Sequence, residues 1–237
     1  MKCIIIVTLF SICCFTKVTS QEIVLEKNVN EMYADSTGPN MKSFGQVYAS
    51  MGFCAQQSEG EGANIEPGRS FITKFGYRHK YKINPVLALG FGVNYGYSHY
   101  LLSADSAKIF PTNQVFDKEK LRVHNIGFEL FGRINFDKNR GNFLGKYMDL
   151  GGYFNWIYAA NYLAITKEFD PNMNADIIKT KYTNLSYVEP FSYGFVVRLS
   201  FNKVGLCADY RISDLFKPEF NYPEMPRLTV GLDLSIE

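Results

Sequence analysis

The segment Pro226-Arg-Leu-Thr-Val-Gly-Leu-Asp-Leu-Ser-Ile236 decides the fold. Leu228, Val230, Leu232, Leu234 and Ile236 alternate without a miss against Arg227, Thr229, Gly231, Asp233 and Ser235. A period of two describes a β-strand with one apolar and one polar face. The same alternation recurs upstream. Residues 86–101 set Leu87, Leu89, Phe91, Val93, Tyr95 and Tyr97 against Ala88, Gly90, Gly92, Asn94, Gly96 and Ser98. The pattern predicts strands at 43–56, 69–82, 86–101, 120–136, 146–164, 184–201, 204–213 and 226–236. The apolar face of the fifth carries Met148, Leu150, Phe154, Trp156, Tyr158 and Tyr162. Most of these segments exceed the usual five or six residues, and suit crossing a bilayer at a tilt. The expected fold is all-β: a transmembrane up-and-down antiparallel β-barrel of about eight strands.

The connections support that layout. Those expected after the second, fourth and sixth strands are short or moderate. Those at 57–68, 102–119, 165–183 and 214–225 are long and polar. Short turns at one end and long loops at the other are the barrel pattern, with the long loops extracellular.

Periodicity does not say which face points inward. A lipocalin-like secreted carrier would have the same alternation reversed, around an apolar cavity. The polar faces arbitrate. A water-exposed surface is dense in Lys and Glu. Here those faces are mostly Gly, Ser, Asn and Thr, with charges at Lys74, Arg78, Glu129, Arg133, Asp149, Arg198, Asp209, Arg211, Arg227 and Asp233. Such faces suit a narrow interior in which small residues make room and charges pair. Arg198 is expected to pair with Asp209 across the Asn202-Lys203 turn, and Arg133 with Asp149. A lumen so filled is no open pore.

The chain has 237 residues, a formal net charge of +2 and 16% aromatic residues. The near-neutral balance gives no basis for a nucleic-acid partner. The Tyr and Phe content fits interfacial girdles. Residues 1–20 follow a signal-peptide plan: Lys2, an apolar core from Ile4 to Phe15, and Val18-Thr19-Ser20 before Gln21. Ile12 before Cys13 argues against lipidation. The expected organisation is a cleaved signal peptide at 1–20, a polar periplasmic segment at 21–42 and an outer-membrane barrel over 43–237. Cys54 and Cys207 fall on the first and seventh strands, apart on the wall, and are expected to be free buried thiols.

The segment Tyr210-Arg-Ile-Ser-Asp-Leu-Phe216, followed by Pro226-Arg-Leu-Thr-Val-Gly-Leu-Asp-Leu234, resembles the C-terminal end of the PorT-like outer-membrane β-barrel family of Bacteroidetes-type Gram-negative bacteria, small barrels of the OmpA/OmpX kind. Tyr81-Lys-Ile-Asn-Pro85 before a Gly/aromatic strand fits the same pattern. Such barrels commonly end on an aromatic residue, whereas this sequence ends Ile236-Glu237. The resemblance implies location and fold: outer-membrane lipid around the wall and the barrel-assembly machinery as a partner. It attaches no activity and no cofactor.

Little in the sequence points to catalysis. His79, His99 and His124 fall on the lipid-facing parity, where interfacial histidines stand among Tyr rings. A lipid A deacylase-like site would pair His99 or His124 with a rim serine such as Ser103. No His or Cys spacing matches a metal site. Glycines 60, 62, 90 and 92 lack the helix and Lys-Ser/Thr pair of a phosphate loop. Phe110, Pro111 and Phe116, with Phe169, Pro171 and Ile177, place apolar groups in the long loops. There they pack on one another or dock an extracellular or envelope protein.

Overall fold

The structure is a computed structural model that describes residues 38–55, 63–103, 109–112, 114, 116–137, 141–167 and 177–236. The expected signal peptide, most of the 21–42 segment, Phe169 and Pro171 lie outside the described residues.

Nine strands form one antiparallel sheet: β1 (Ser43–Cys54), β2 (Phe71–Lys82), β3 (Leu87–Leu102), β4 (Lys118–Asn135), β5 (Lys146–Thr166), β6 (Ile178–Thr183), β7 (Phe191–Phe201), β8 (Val204–Arg211) and β9 (Leu228–Ile236). Neighbours in sequence pair from β1 through β6 and from β7 through β9, β5 also pairs with β7, and β9 returns to β1 through Val47–Ile236 to Cys54–Thr229. The ring therefore closes, and closure removes the open edges that a flat sheet would expose. β6 stands outside the ring count. It pairs only with the upper part of β5, while β7 takes the lower part.

The sixth expected strand, 184–201, is thus corrected. The wall is interrupted at 184–190 and its upper piece begins at Ile178. Two local features account for the break. Asn184 takes a left-handed conformation, with φ 55°. Pro190 offers no N–H to a ladder, although its carbonyl still accepts from Ile157 N–H at 2.7 Å. Opposite the gap, β5 bulges: His124 pairs with Ala159 but Asn125 pairs with Ile157, so Tyr158 is the extra residue. A bulge switches the facing of every residue beyond it. Tyr162, expected on the outer face, is for that reason buried inside.

Turns at one end are short. Asn84 Oδ1 accepts the backbone N–H groups of Val86 and Leu87 at 2.8 and 2.7 Å, which turns β2 into β3. The long connections gather at the other end, as the loop lengths predict.

Burial fixes the faces. Leu130 is 58% exposed, and Leu89, Leu232 and Val197 share its outward side. Arg133, on the opposite face of the same strand as Leu130, is 2% exposed. The apolar face points out and the polar face in. Among the described residues, the inward faces line no apolar cavity of the lipocalin kind.

Candidate functional site

The interior of the ring is layered. Near the short-turn end, Arg133 grips Asp149 through two bonds of 2.7 and 2.9 Å. Asp149 also accepts from Arg198 Nε at 3.4 Å. Arg198 forks onto Glu129, with one bond of 2.9 Å and a second to Oε1. Arg78 holds Asp233 bidentately at 2.8 and 2.7 Å, and Lys74 meets Asp209 at 2.7 Å. Four cations face four carboxylates, so this layer carries no net charge. Aromatic faces close the gaps: Arg78 lies 3.3 Å from the Tyr48 ring centroid and Arg133 lies 3.6 Å from that of Tyr147.

Glycines make this density fit. A Cβ on Gly127 would stand 2.5 Å from Asn155 Oδ1 and 2.7 Å from Asn94 Oδ1.

The expected pairing of Arg198 with Asp209 is corrected. In register, Arg198 lies opposite Cys207, and Asp209 lies opposite Val196. The two share the inward face, but the guanidinium reaches across the lumen to Glu129 on β4. Strand tilt brings distant strands to one height, which sequence spacing does not express. Arg211 and Arg227 line the cavity next to Lys74 and Asp209, and their ion-pair partners lie further out. Arg211 pairs with Glu224 at 2.6 Å and Arg227 with Asp214 at 2.6 Å. Both partners belong to the β8–β9 connection, so these arginines fasten that connection to the rim.

Above the ionic layer lies a cavity of about 50 Å³ beside Lys74, Asn125, Asn155, Ser192 and Asp209. It has room for a few water molecules at about 10–15 Å³ each. An apolar cap follows. Phe110 is wholly buried, 4.5 Å from Phe216 and 5.0 Å from Tyr222 between ring centroids. Leu121, Val123, Ile157, Val188 and Met225 complete the cluster. Tyr187 packs edge-on against Phe110, and burial raises its phenol pKa. The apolar loop residues Phe110 and Phe116 therefore pack inward against the cap; Ile177 is exposed. At the opposite end, the Lys80 ammonium donates to the Pro39 carbonyl and Lys82 to Asn40, so 38–40 lie across the short-turn mouth.

Cys54 and Cys207 are free and buried. They are not far apart on the wall, as the sequence order suggests, because ring closure leaves only β9 between β1 and β8. Two strand spacings and a two-residue offset still put the Cα atoms about 12 Å apart, beyond disulfide reach.

The histidines sit among phenols. His124 Nδ1 bonds Tyr95 OH at 2.7 Å. His79 bonds Ser43 Oγ at 2.8 Å through Nε2 and Tyr77 OH at 3.0 Å through Nδ1. Among the described residues, no carboxylate bonds that ring. His99 keeps outward parity, yet it is buried beside Phe71 and Tyr97. Among the described residues, neither His99 nor His124 bonds a serine, and no three His, Cys, Asp or Glu side chains converge as metal ligands.

No protein-family model matches this chain, and no curated protein matches it significantly.

Proposed function

We propose that this protein is an integral outer-membrane β-barrel of the PorT-like kind, exported with a cleaved signal peptide. Its role is structural or one of surface interaction through its long-loop end; it is not a general porin. One observation carries the reading: a continuous outward apolar belt encircles an ion-paired interior. Water-soluble monomers seldom expose apolar patches beyond a few hundred Å². A bilayer is the solvent that suits such a belt, and a closed barrel is one of the two backbone solutions it accepts. Tyr77 and Tyr81 toward the short-turn end, and Tyr95, Trp156 and Tyr158 toward the long-loop end, supply the amphipathic rings of two interfacial girdles.

The neutral ionic layer and the apolar cap support a barrel that holds its loops in place and conducts nothing. The phenol-bound histidines support a non-enzymatic reading. The test is fractionation of cells that express the full chain. The protein should sediment with outer membranes and require detergent for release. Recovery in the soluble periplasmic fraction would refute the proposal.

A further inference from the structure

The outward face of β4 changes character along its length. Leu130, Phe128 and Ile126 are exposed and apolar. His124 follows in its aromatic cluster with Tyr97 and Tyr158. Beyond it, on the same parity, come Arg122, Lys120 and Lys118. Two strands away, β6 presents Lys181 and Lys179 at the same heights. The ladders align Lys120 with Leu163 and Lys181, and Lys118 with Ile165 and Lys179. Two cationic columns thus stand about 10 Å apart on either side of an apolar strip.

These charges are unlike those of the lumen. Among the described residues, none of the five forms an ion pair, and the buried Arg122 Nε has no hydrogen-bond partner. Lys118, Arg122 and Arg69 all act on Lys120 as like charges. Among the described residues, the nearby carboxylates Glu66, Asp117 and Glu119 are engaged or turned away. Glu66 pairs with Arg69 at 2.9 Å, Asp117 accepts the Lys167 N–H at 2.6 Å, and Glu119 faces inward beside Tyr162. Like charges on neighbouring positions of a sheet repel, and an anion between them removes that cost.

We infer that the outer wall formed by Arg122, Lys120, Lys118, Lys181 and Lys179 binds the phosphate of an anionic membrane lipid. The inference rests on the membrane reading above, which places the patch next to the acyl region. From His124 to Lys120 is about 13 Å along the strand. After strand tilt that span matches the head-group zone beyond the hydrocarbon. Leu163 and Ile165, between the columns, accept the apolar part of the same lipid. A soluble acidic partner would have no use for those side chains, nor for a patch continuous with the long-loop girdle.

Native mass spectrometry of the folded chain released from detergent micelles tests this, with phosphatidic acid as the phosphate-bearing probe and phosphatidylcholine as the zwitterionic one. Phosphatidic acid adducts should form where phosphatidylcholine gives none. K118Q/K120Q/K179Q/K181Q should weaken them at least tenfold, and K179Q/K181Q alone at least threefold. K146Q/K203Q, at the short-turn end, should leave them unchanged. Millimolar inorganic phosphate should not displace the lipid; displacement would make this a free-phosphate site and overturn the inference. Equal adducts in wild type and both site variants would overturn it as well. Flotation with phosphatidylcholine vesicles separates the two readings. Loss of flotation in wild type would refute membrane insertion, whereas retained flotation with unchanged adducts would refute only the phosphate site.

Discussion

Arg198 shows what burial asks of a charge. Its guanidinium is bonded to Glu129 and Asp149, and all three side chains are shut away from water. Arg198→Ala should leave Glu129 buried without its main partner and destabilise the barrel by about 3–5 kcal/mol. Asp209, held by Lys74, should be unaffected. Urea unfolding in detergent, followed by the gel shift between folded and unfolded forms, measures this. Adding Glu129→Leu to Arg198→Met should recover most of the loss, because an apolar pair leaves no orphan charge. The charges with inward parity were legible from alternation alone. Their partners were not, because pairing across a lumen depends on strand tilt and ring closure, which no local spacing carries. Arg198 lies 69 positions from Glu129 in the chain.

At the scale of elements, strands were legible and their interruptions were not. β1 was expected at 43–56 and runs Ser43–Cys54; β3 was expected at 86–101 and runs Leu87–Leu102. Strict period-two alternation makes such boundaries visible. The bulge at Tyr158 leaves no comparable mark, since Tyr158 and Tyr162 are both amphipathic rings that read well on either face. The fate of the 184–190 segment was equally hidden. It leaves the wall and bridges Val188 to Phe216 in the cap. Phe110, on a different connection, is the centre of that cap. Phe110→Ala should remove about 3–5 kcal/mol of packing from it. Hydrogen exchange should then accelerate in 184–190 and 214–225 while β1, β2 and β9 stay protected. Uniform acceleration through the ring would show that cap and wall unfold as one unit.

The wall strands offer a second test. Leu130 and Leu232 project outward in the apolar belt. Arg at either position should lower the stability of the lipid-inserted barrel by about 2–4 kcal/mol, the cost found near the middle of a bilayer. The same substitution at Lys179 or Lys181, beyond the long-loop girdle, should cost almost nothing. Equal effects at all four positions would contradict the assigned depth.

At the scale of the whole ring, described residues reach over both mouths. Pro39 and Asn40 lie over one, the Phe110 cluster over the other, and a charge-neutral layer fills the middle. Planar bilayers containing the purified protein should show no steady porin-like conductance. Large reproducible single-channel steps would contradict the filled lumen. The ring and its inside-out polarity were readable because strict alternation set an apolar face against one rich in Gly, Ser, Asn, Thr and paired charges along most wall strands. The capped mouth was not readable, because loop residues such as Phe110 and Tyr222 carry no periodicity and meet only in three dimensions.

The central claim is that the outward belt contacts lipid, and the chain supplies its own reporter. Trp156 is the single tryptophan, it lies on the outward face of β5 beside Tyr158, and it is half exposed. Its fluorescence in reconstituted phosphatidylcholine vesicles can be challenged with acyl-chain-brominated lipids and with aqueous iodide. The account predicts strong quenching by lipids brominated near the head group, weaker quenching by those brominated deep in the chain, and little by iodide. Quenching by iodide with no response to any brominated lipid would place Trp156 in water and contradict it.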